Sequence, residues 1–481
     1  MSIVTPEWVR HAVFYQIFPD RFAQSAHVPK PSNLEPWDSP PSLYGFKGGD
    51  LVGIAEHLDY LQDLGITALY LNPIFQSTAN HRYHTHDYYR VDPILGGNEA
   101  FRLLLEQAHR RGMRVIIDGV FNHTGRGFYQ FSHALENGAA SPYLDWFYIR
   151  GFPLNAYNGH PQYDCWWGIP ALPKLNVQTP AVREFIFGVA EHWIRFGADG
   201  WRLDVPGEID DDAFWQEFRS RVKRVNPDAY LVGEIWGEAQ RWLRGDQFDA
   251  VMNYLFTKAC IGFFVGERMD PVLTSGIGYA PVPTLDGRGF AQALMHLLSL
   301  YDRAVNEVQL NLLDSHDTAR FLSIARGDES ALRLAVLCQM TYPGAPCVYY
   351  GDEVGMLGGK DPDCRRAFNW DRQSWNEGLR AFYKAAIALR ARFRALRDGA
   401  FHVLDAGERW VAYLRQHAGE SLVVLLNAGH QPVRADIPLG ALVNAQHGEV
   451  VFGAKGDYAV QQQRLLGVFV PAREGVVIRL G

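Results

Sequence analysis

The chain has 481 residues, a net charge of −7, and apolar and charged fractions of 47% and 21%, the balance of an ordinary soluble globular protein. That length exceeds one small core and leaves room for a barrel with accessory domains. A pI near 6.2 without any Lys/Arg run argues against a nucleic-acid footprint or a polybasic membrane patch, so a neutral ligand is expected. The five cysteines (Cys165, Cys260, Cys338, Cys347, Cys364) are scattered and lack CxxC spacing, which indicates neither a disulfide framework nor a zinc site. The N-terminus MSIVTPEWVRHAVFYQIFPD has no basic segment followed by an apolar one, and no stretch approaches a bilayer span. A cytoplasmic location with reduced thiols is the expectation.

In chain order, eight short apolar runs alternate with helical patterns. They are VFYQIFP (13–19), ITALYLN (66–72), MRVIID (113–118), ADGWRLD (198–204), AYLVGE (229–234), FDAVMN (248–253), VQLNLLD (308–314) and PCVYYGD (346–352). NEAFRLLLEQAHRRG and PAVREFIFGVAEHWIRFG read as crossover helices. The second opens on Thr179-Pro180, a capping residue before Pro, and ends at Gly197. Eight strands with helical crossovers predict an α/β fold of the (β/α)8 TIM-barrel kind, spanning 1–121 and 179–396. A doubly wound sheet is the alternative, but no GxGxxG follows an early strand. Residues 122–178, rich in Gly, Pro, Asn and aromatics, are too long for a plain connection and read as an inserted subdomain. From 397 to 481, short runs separated by turn residues (RWVAYLRQ, SLVVLLNAG, GVVIRLG) predict a C-terminal antiparallel β-sandwich.

Four of the predicted strands end on acids: Asp118, Asp204, Glu234 and, just past strand seven, Asp317. A carboxylate closing a Val/Ile/Leu run is costly unless it faces a polar site, and barrel enzymes keep their chemistry at that end. Arg202 and Asp204 are two apart, so strand alternation aims both at the lumen. The guanidinium is expected to hold Asp204 ionised, as a nucleophile requires. Glu234, crowded by other carboxylates, suits a general acid. His123 and His316 stand beside these acids. A metal site is the competitor, but HExxH is absent. Two carboxyls among aromatics describe glycoside hydrolysis. Most of the 13 Trp, 22 Tyr and 28 Phe must be core, yet Tyr83, in a polar loop after strand two, and Trp236, two past Glu234, are placed to meet sugar rings.

DGVFNH (118–123), GWRLDVPGE (200–208), GEIW (233–236) and DSHD (314–317) resemble the four ordered blocks of the alpha-amylase family of glycoside hydrolases. LPKLN (172–176) resembles the extra block of the inserted domain, in the version of the cyclomaltodextrinase, maltogenic amylase and neopullulanase group. The likeness runs from about Val13 to the C-terminal β domain. It implies Asp204 as nucleophile, Glu234 as acid/base and Asp317 as transition-state stabiliser. Arg202 would orient Asp204, and His123 and His316 would bind hydroxyls of the sugar being cleaved. Tyr83 with Asp87 (YHTHDY) resembles a stacking Tyr and its companion acid. Asp361 and Arg365 (DPDCRR) resemble contacts to sugars further out. The implied reaction is retaining, with nucleophile and acid/base carboxyls about 5–5.5 Å apart. The substrates implied are cyclodextrins and maltooligosaccharides, cut at α-1,4 bonds to maltose and glucose with some transglycosylation. An alpha-amylase, an α-glucosidase, a transglycosylase and an inactive carbohydrate-binding protein on the same fold are the alternatives.

Three departures from the group stand out. Its N-terminal β module is missing here, so a monomer is expected rather than the dimer that module builds. Residues 23–37 lack the Asn/Asp ladder that often ligates calcium in relatives, and Gly49-Asp50 alone supply too few oxygens, so no cofactor is expected to be required and calcium stays an unsupported alternative. Block two reads Val205-Pro206-Gly207-Glu208 where relatives have Ala-Asn before the Glu, which stiffens the loop beyond the nucleophile.

Overall fold

The computed structural model describes residues 3–481. All eight predicted barrel strands form, seven of them shorter than the apolar runs that announced them and the third of equal length. They are β1 (Phe14–Ile17), β2 (Ala68–Leu71), β3 (Arg114–Gly119), β4 (Gly200–Leu203), β5 (Tyr230–Gly233), β6 (Ala250–Val251), β7 (Leu310–Leu312) and β8 (Ala345–Tyr349). Consecutive strands pair in parallel from β1 to β6, and β8 joins β1 to β7. A parallel bridge from Met252 to Leu310 closes the ring. The strands are buried nearly throughout, as expected of a parallel sheet covered by helices. The helix Gly97–Arg110 returns the chain from β2 to β3, and Pro180–Phe196 precedes β4. Thr179 stands at the N-terminus of the latter without capping it. Its hydroxyl donates instead to the Asp145 carbonyl at 2.5 Å, tying the helix to the segment before it.

Sequence reading missed a hairpin. Phe75–Ser77 and Thr85–Val91 pair antiparallel directly after β2, so YHTHDY runs into a strand rather than lying in a loop. Between β3 and Pro180 the chain makes one helix, Tyr129–Asn137, and several single turns. It leaves and returns at one place, where His123 bridges Lys174.

The C-terminal part is an eight-stranded antiparallel sheet whose ends fold over a core of its own, including Leu414, Leu425, Ile437, Val468 and Ile478. A wholly buried arginine joins it to the barrel, and a second, on the barrel side, shares one of its acceptors. Arg415, on the strand Trp410–His417, donates to the carbonyls of Thr341, Leu396 (3.0 Å) and Gly399 (2.9 Å). Arg390 donates to the same Leu396 carbonyl at 2.9 Å and to Gly344 at 2.5 Å. These carbonyls end a helix or lie in turns without a partner in the sheet, and the guanidinium forks satisfy several at once. No helix among the described residues is long and apolar enough to cross a membrane.

Candidate active site

Strand register builds the site. Asp118 lies opposite Arg202 across β3 and β4, and Leu203 lies opposite Gly233 across β4 and β5. Asp204 and Glu234 therefore leave neighbouring strands at the same level. Arg202, with no exposed surface, spans them. Its Nη1 contacts both oxygens of Asp118 at 3.0 Å and Asp204 Oδ1 at 3.1 Å, while Nη2 lies 3.1 Å from Glu234 Oε2. Met252 Sδ accepts from its Nε at 3.3 Å. Arg202 was expected to orient Asp204. One guanidinium holds three carboxyls, and Asp118, noted as a strand-end acid but left out of the expected site set, is one of them.

The residue after Asp204 carries strain. Val205 is left-handed (φ 35°, ψ 49°), a rare conformation for a β-branched side chain. The turn aims its N–H at Glu234 Oε2, 3.0 Å away. Strain of this kind persists where the surrounding structure over-determines it.

Across the lumen, His316 Nε2 is 3.1 Å from Asp317 Oδ2 and 2.6 Å from the Tyr83 hydroxyl. The Tyr83 ring is nearly parallel to the imidazole, with centroids 5.6 Å apart, and its hydroxyl donates to Asp118 at 2.9 Å. Arg365 grips the other side of Asp317 at 3.2 Å, donates to the His316 carbonyl at 2.8 Å, and pairs with Asp361 at 3.0 Å. His123 accepts on Nδ1 from the Asn122 amide at 3.2 Å. This leaves Nε2 as the protonated nitrogen, 4.0 Å from Asp204 Oδ2 and without a hydrogen-bond partner among the described residues. A buried donor left unpaired beside a carboxylate is suited to a ligand hydroxyl.

Burial governs the protonation states. It pushes Glu234 up to about 7, against the pull of Arg202 and with the charge of Asp317. Burial and then the charge of Glu234 push Asp204 up, while Arg202 pulls it down. The guanidinium was expected to keep Asp204 ionised by itself; here burial and the neighbouring acid outweigh it. The two acids titrate as a pair, and one of them holds a proton into the neutral range while the other is charged. Burial depresses both imidazoles, His123 to about 3 and His316 well below its ordinary value, so both are neutral donors or acceptors at pH 7.

Two expected contacts fall elsewhere. Asp87 sits in the hairpin strand with a side chain 40% exposed, where it accepts from the Tyr89 N–H at 2.8 Å and faces Arg90 at 3.6 Å. No recorded contact joins it to the lumen acids. The local hairpin pairing takes it up. Trp236 stacks flat on Tyr254 at 3.7 Å, and the Gly278 backbone lies so close that a Cβ there would come within 2.4 Å of the indole. Its ring is packed by protein rather than lying open. A set of rings not expected from sequence takes the open position. Trp166 stacks on His123 (5.4 Å), and Trp167, left-handed at φ 49° and 80% exposed, stacks on Trp166 (4.6 Å). The adjacent pair WW inside the insertion was the available signal.

Asp50, one of the few oxygen donors near residues 23–37, has partners within the protein. Its carboxylate accepts from the N–H groups of Ser25 (2.8 Å) and Gly53 (2.7 Å) and pairs with the Lys30 ammonium at 2.8 Å. Lys30 also donates to the Ile94 carbonyl at 3.0 Å. No cluster of three or more His, Cys, Asp or Glu suited to a metal exists among the described residues.

Paired buried carboxyls at the C-terminal strand ends of a closed barrel, with neutral imidazoles and exposed rings around them, define a glycoside-processing barrel enzyme. Residues 16–397 match the alpha amylase catalytic domain model. The chain belongs to the alpha-amylase family of glycoside hydrolases. It is 45% identical over 452 residues to a cyclomaltodextrinase of Geobacillus thermopakistaniensis (strain MAS1), covering 92% of this chain and 74% of the relative. Among solved structures, Ttha1563 of Thermus thermophilus superposes with a TM-score of 0.94 at 50% identity, covering 98% of this chain and all of the other. The native debranching enzyme of Nostoc punctiforme gives 0.93 at 47%, covering 99% and 100%.

Proposed function

We propose that the chain hydrolyses α-1,4-glucosidic bonds of cyclodextrins and maltooligosaccharides with retention of configuration. The observation that carries this reading is the single Arg202 guanidinium bridging Asp204 and Glu234. It holds Asp204 on one terminal nitrogen and Glu234 on the other, at 3.1 Å each, so the two carboxyls face one lumen from neighbouring strands; a covalent intermediate needs them about 5–5.5 Å apart. Asp204 attacks the anomeric carbon while Glu234 gives its proton to the departing glycosidic oxygen. Glu234 then takes a proton from water, or from a sugar hydroxyl in transglycosylation, as that oxygen attacks the anomeric carbon and releases Asp204. Asp317 faces the developing positive charge, and His123, His316 and Tyr83 orient the sugar. Asp361 and Arg365 extend the grip beyond it. Trp166 and Trp167 form a wall on the inserted segment 122–178. Asp87 and Trp236 are not given a substrate contact.

A second reading is favoured by the full-length likeness to a protein named a debranching enzyme: cleavage of α-1,6 branch bonds by the same carboxyls. Product profiles on β-cyclodextrin, maltotriose, soluble starch and pullulan decide between them. Maltose and glucose from cyclodextrin support the first reading, and linear chains released only at branch points support the second. No turnover of any of these sinks both.

Two further outcomes follow. With Glu234 titrating at about 7, kcat/KM on oligosaccharides is expected to fall as pH rises through about 7, because the acid loses its proton. In Glu234→Gln that limb should vanish and the rate drop by about 10²–10⁴-fold, with an aryl glycoside bearing a good leaving group recovering much of the loss. Exhaustive chelation is expected to leave activity and melting temperature unchanged, since Lys30 serves Asp50; a chelator-induced loss restored by calcium would contradict this.

A further inference from the structure

Gln16 stands in the middle of β1 with no exposed surface, amid the aromatic and aliphatic residues of the barrel wall. A buried primary amide is costly in such a place unless its hydrogen bonds repay the lost water. Its Nε2 has two protons and two acceptors, Asn72 Oδ1 at 3.0 Å and His316 Nδ1 at 2.9 Å. Its Oε1 has no partner among the described residues. The donor half of the amide is therefore what the site uses.

The orientation of that amide follows from its neighbours. Asn72 presents its own Nδ2 to the Tyr83 hydroxyl at 3.1 Å, which turns Asn72 Oδ1 toward Gln16. His316 Nε2 faces Asp317 Oδ2 at 3.1 Å. A lone pair there would oppose a carboxylate, so Nε2 carries the ring proton and Nδ1 is the acceptor. An acceptor buried at Nδ1 needs a donor, and Gln16 is the one in reach. The remaining groups around the ring agree with a neutral imidazole. Burial, then Arg365 and Arg202, disfavour a charged one, His81 lies on the same side, and the Tyr83 hydroxyl donates its hydrogen bond to Asp118.

We propose that Gln16 is a positioning residue that locks His316 in its Nε2–H tautomer and, through Asn72, holds Tyr83 in register with it. The inference rests on the sugar-binding role given to His316 and Tyr83 above. One amide thus couples the Asp317 side of the site to the Asp118–Arg202 side. The locked tautomer presents a donor, never an acceptor, beside Asp317. A sugar hydroxyl reaching that point meets an N–H and a carboxylate together, so it must accept from one and donate to the other. That fixes which way the hydroxyl points.

The test uses the full-length protein labelled with 15N-histidine, and the His316 signal is assigned as the one lost in His316→Gln. Long-range 15N–1H spectra of the wild type are expected to show an unprotonated-type Nδ1 and a protonated-type Nε2. In Gln16→Glu the new carboxylate accepts from Nδ1, so that nitrogen should become protonated, and kcat/KM on maltooligosaccharides should fall by about 10–100-fold, as for a misplaced contact near the chemistry. Gln16→Met removes the donor without adding charge; it should keep the thermal midpoint within a few degrees, lose the single-tautomer signature, and show a smaller fall. A wild-type spectrum with Nδ1 protonated overturns the proposal, and so does a folded Gln16→Glu with unchanged nitrogens and unchanged kcat/KM. A wild type that shows the stated tautomer but turns over no glucan leaves the tautomer lock standing and removes the catalytic reading.

Discussion

Asp204→Asn is expected to lower kcat on maltooligosaccharides by about 10⁴-fold or more, because no other carboxyl reaches the position from which Asp204 leaves β4. The same substitution should not harm the fold. Burial and Glu234 push the Asp204 carboxyl up, so its ionised form is less favoured in the folded chain than in the unfolded one. Stability carried by the protonated form is then lost as pH rises from the unfolded pKa through the folded one. A neutral amide escapes that loss. The melting temperature of the variant should exceed the wild type's, and by more at pH 8 than at pH 5, since the loss begins at the unfolded carboxyl's pKa of about 3.9. A variant that is inactive because it is unfolded would show the reverse, and retained turnover would move the nucleophile elsewhere.

Arg202→Met should give the largest loss of stability of any single change at the site. The guanidinium faces Asp118, Asp204 and Glu234, all within 3.1 Å and all buried. Removing it leaves three acids without their cation, and breaking a buried pair in this way costs about 3–5 kcal/mol. The sign of the pH effect is fixed. Without Arg202 the folded pKa values of these acids rise further, so the variant is destabilised least in acid and most at pH 8. Urea unfolding at pH 5.5 and pH 8 measures both. Equal losses at the two pH values would mean that the effect is packing alone.

The barrel was legible because each strand is a short apolar run with a helix pattern after it, and because four strands end in acids that no core would keep. The Asp204–Glu234 pair and the guanidinium between them were legible for the same reason, with two-residue alternation on β4 placing Arg202 beside Asp204. The lining of the lumen was not. Gln16 lies within VFYQIFP, where one amide among apolar residues signals nothing until β1 closes against β8 and β2. Tyr70 donates to Asp118 at 3.0 Å, yet in ITALYLN it reads as core. Asp87 was misplaced because the hairpin after β2 depends on pairing with Phe75–Ser77, and no turn signal of the usual two-residue kind marks it. Trp166 and Trp167 were hidden among many aromatics, and non-local bridges such as His123–Lys174 and Cys165–Pro173 bring them to the rim.

The carbonyls held by Arg390 and Arg415 bear on how this chain can be rearranged. Sequence composition changes near residue 397, which invites a cut there and the exchange of the C-terminal sheet as an independent cassette. Leu396, at that very junction, is the carbonyl on which a barrel guanidinium and a C-terminal guanidinium converge. A graft that brings in a foreign sheet without an arginine at the Arg415 position leaves buried carbonyls at Thr341, Leu396 and Gly399 with an unfilled vacancy between them. The seam visible in composition is therefore a weld in the folded molecule, and a workable graft must keep Arg390 and bring an arginine at the Arg415 position to meet it.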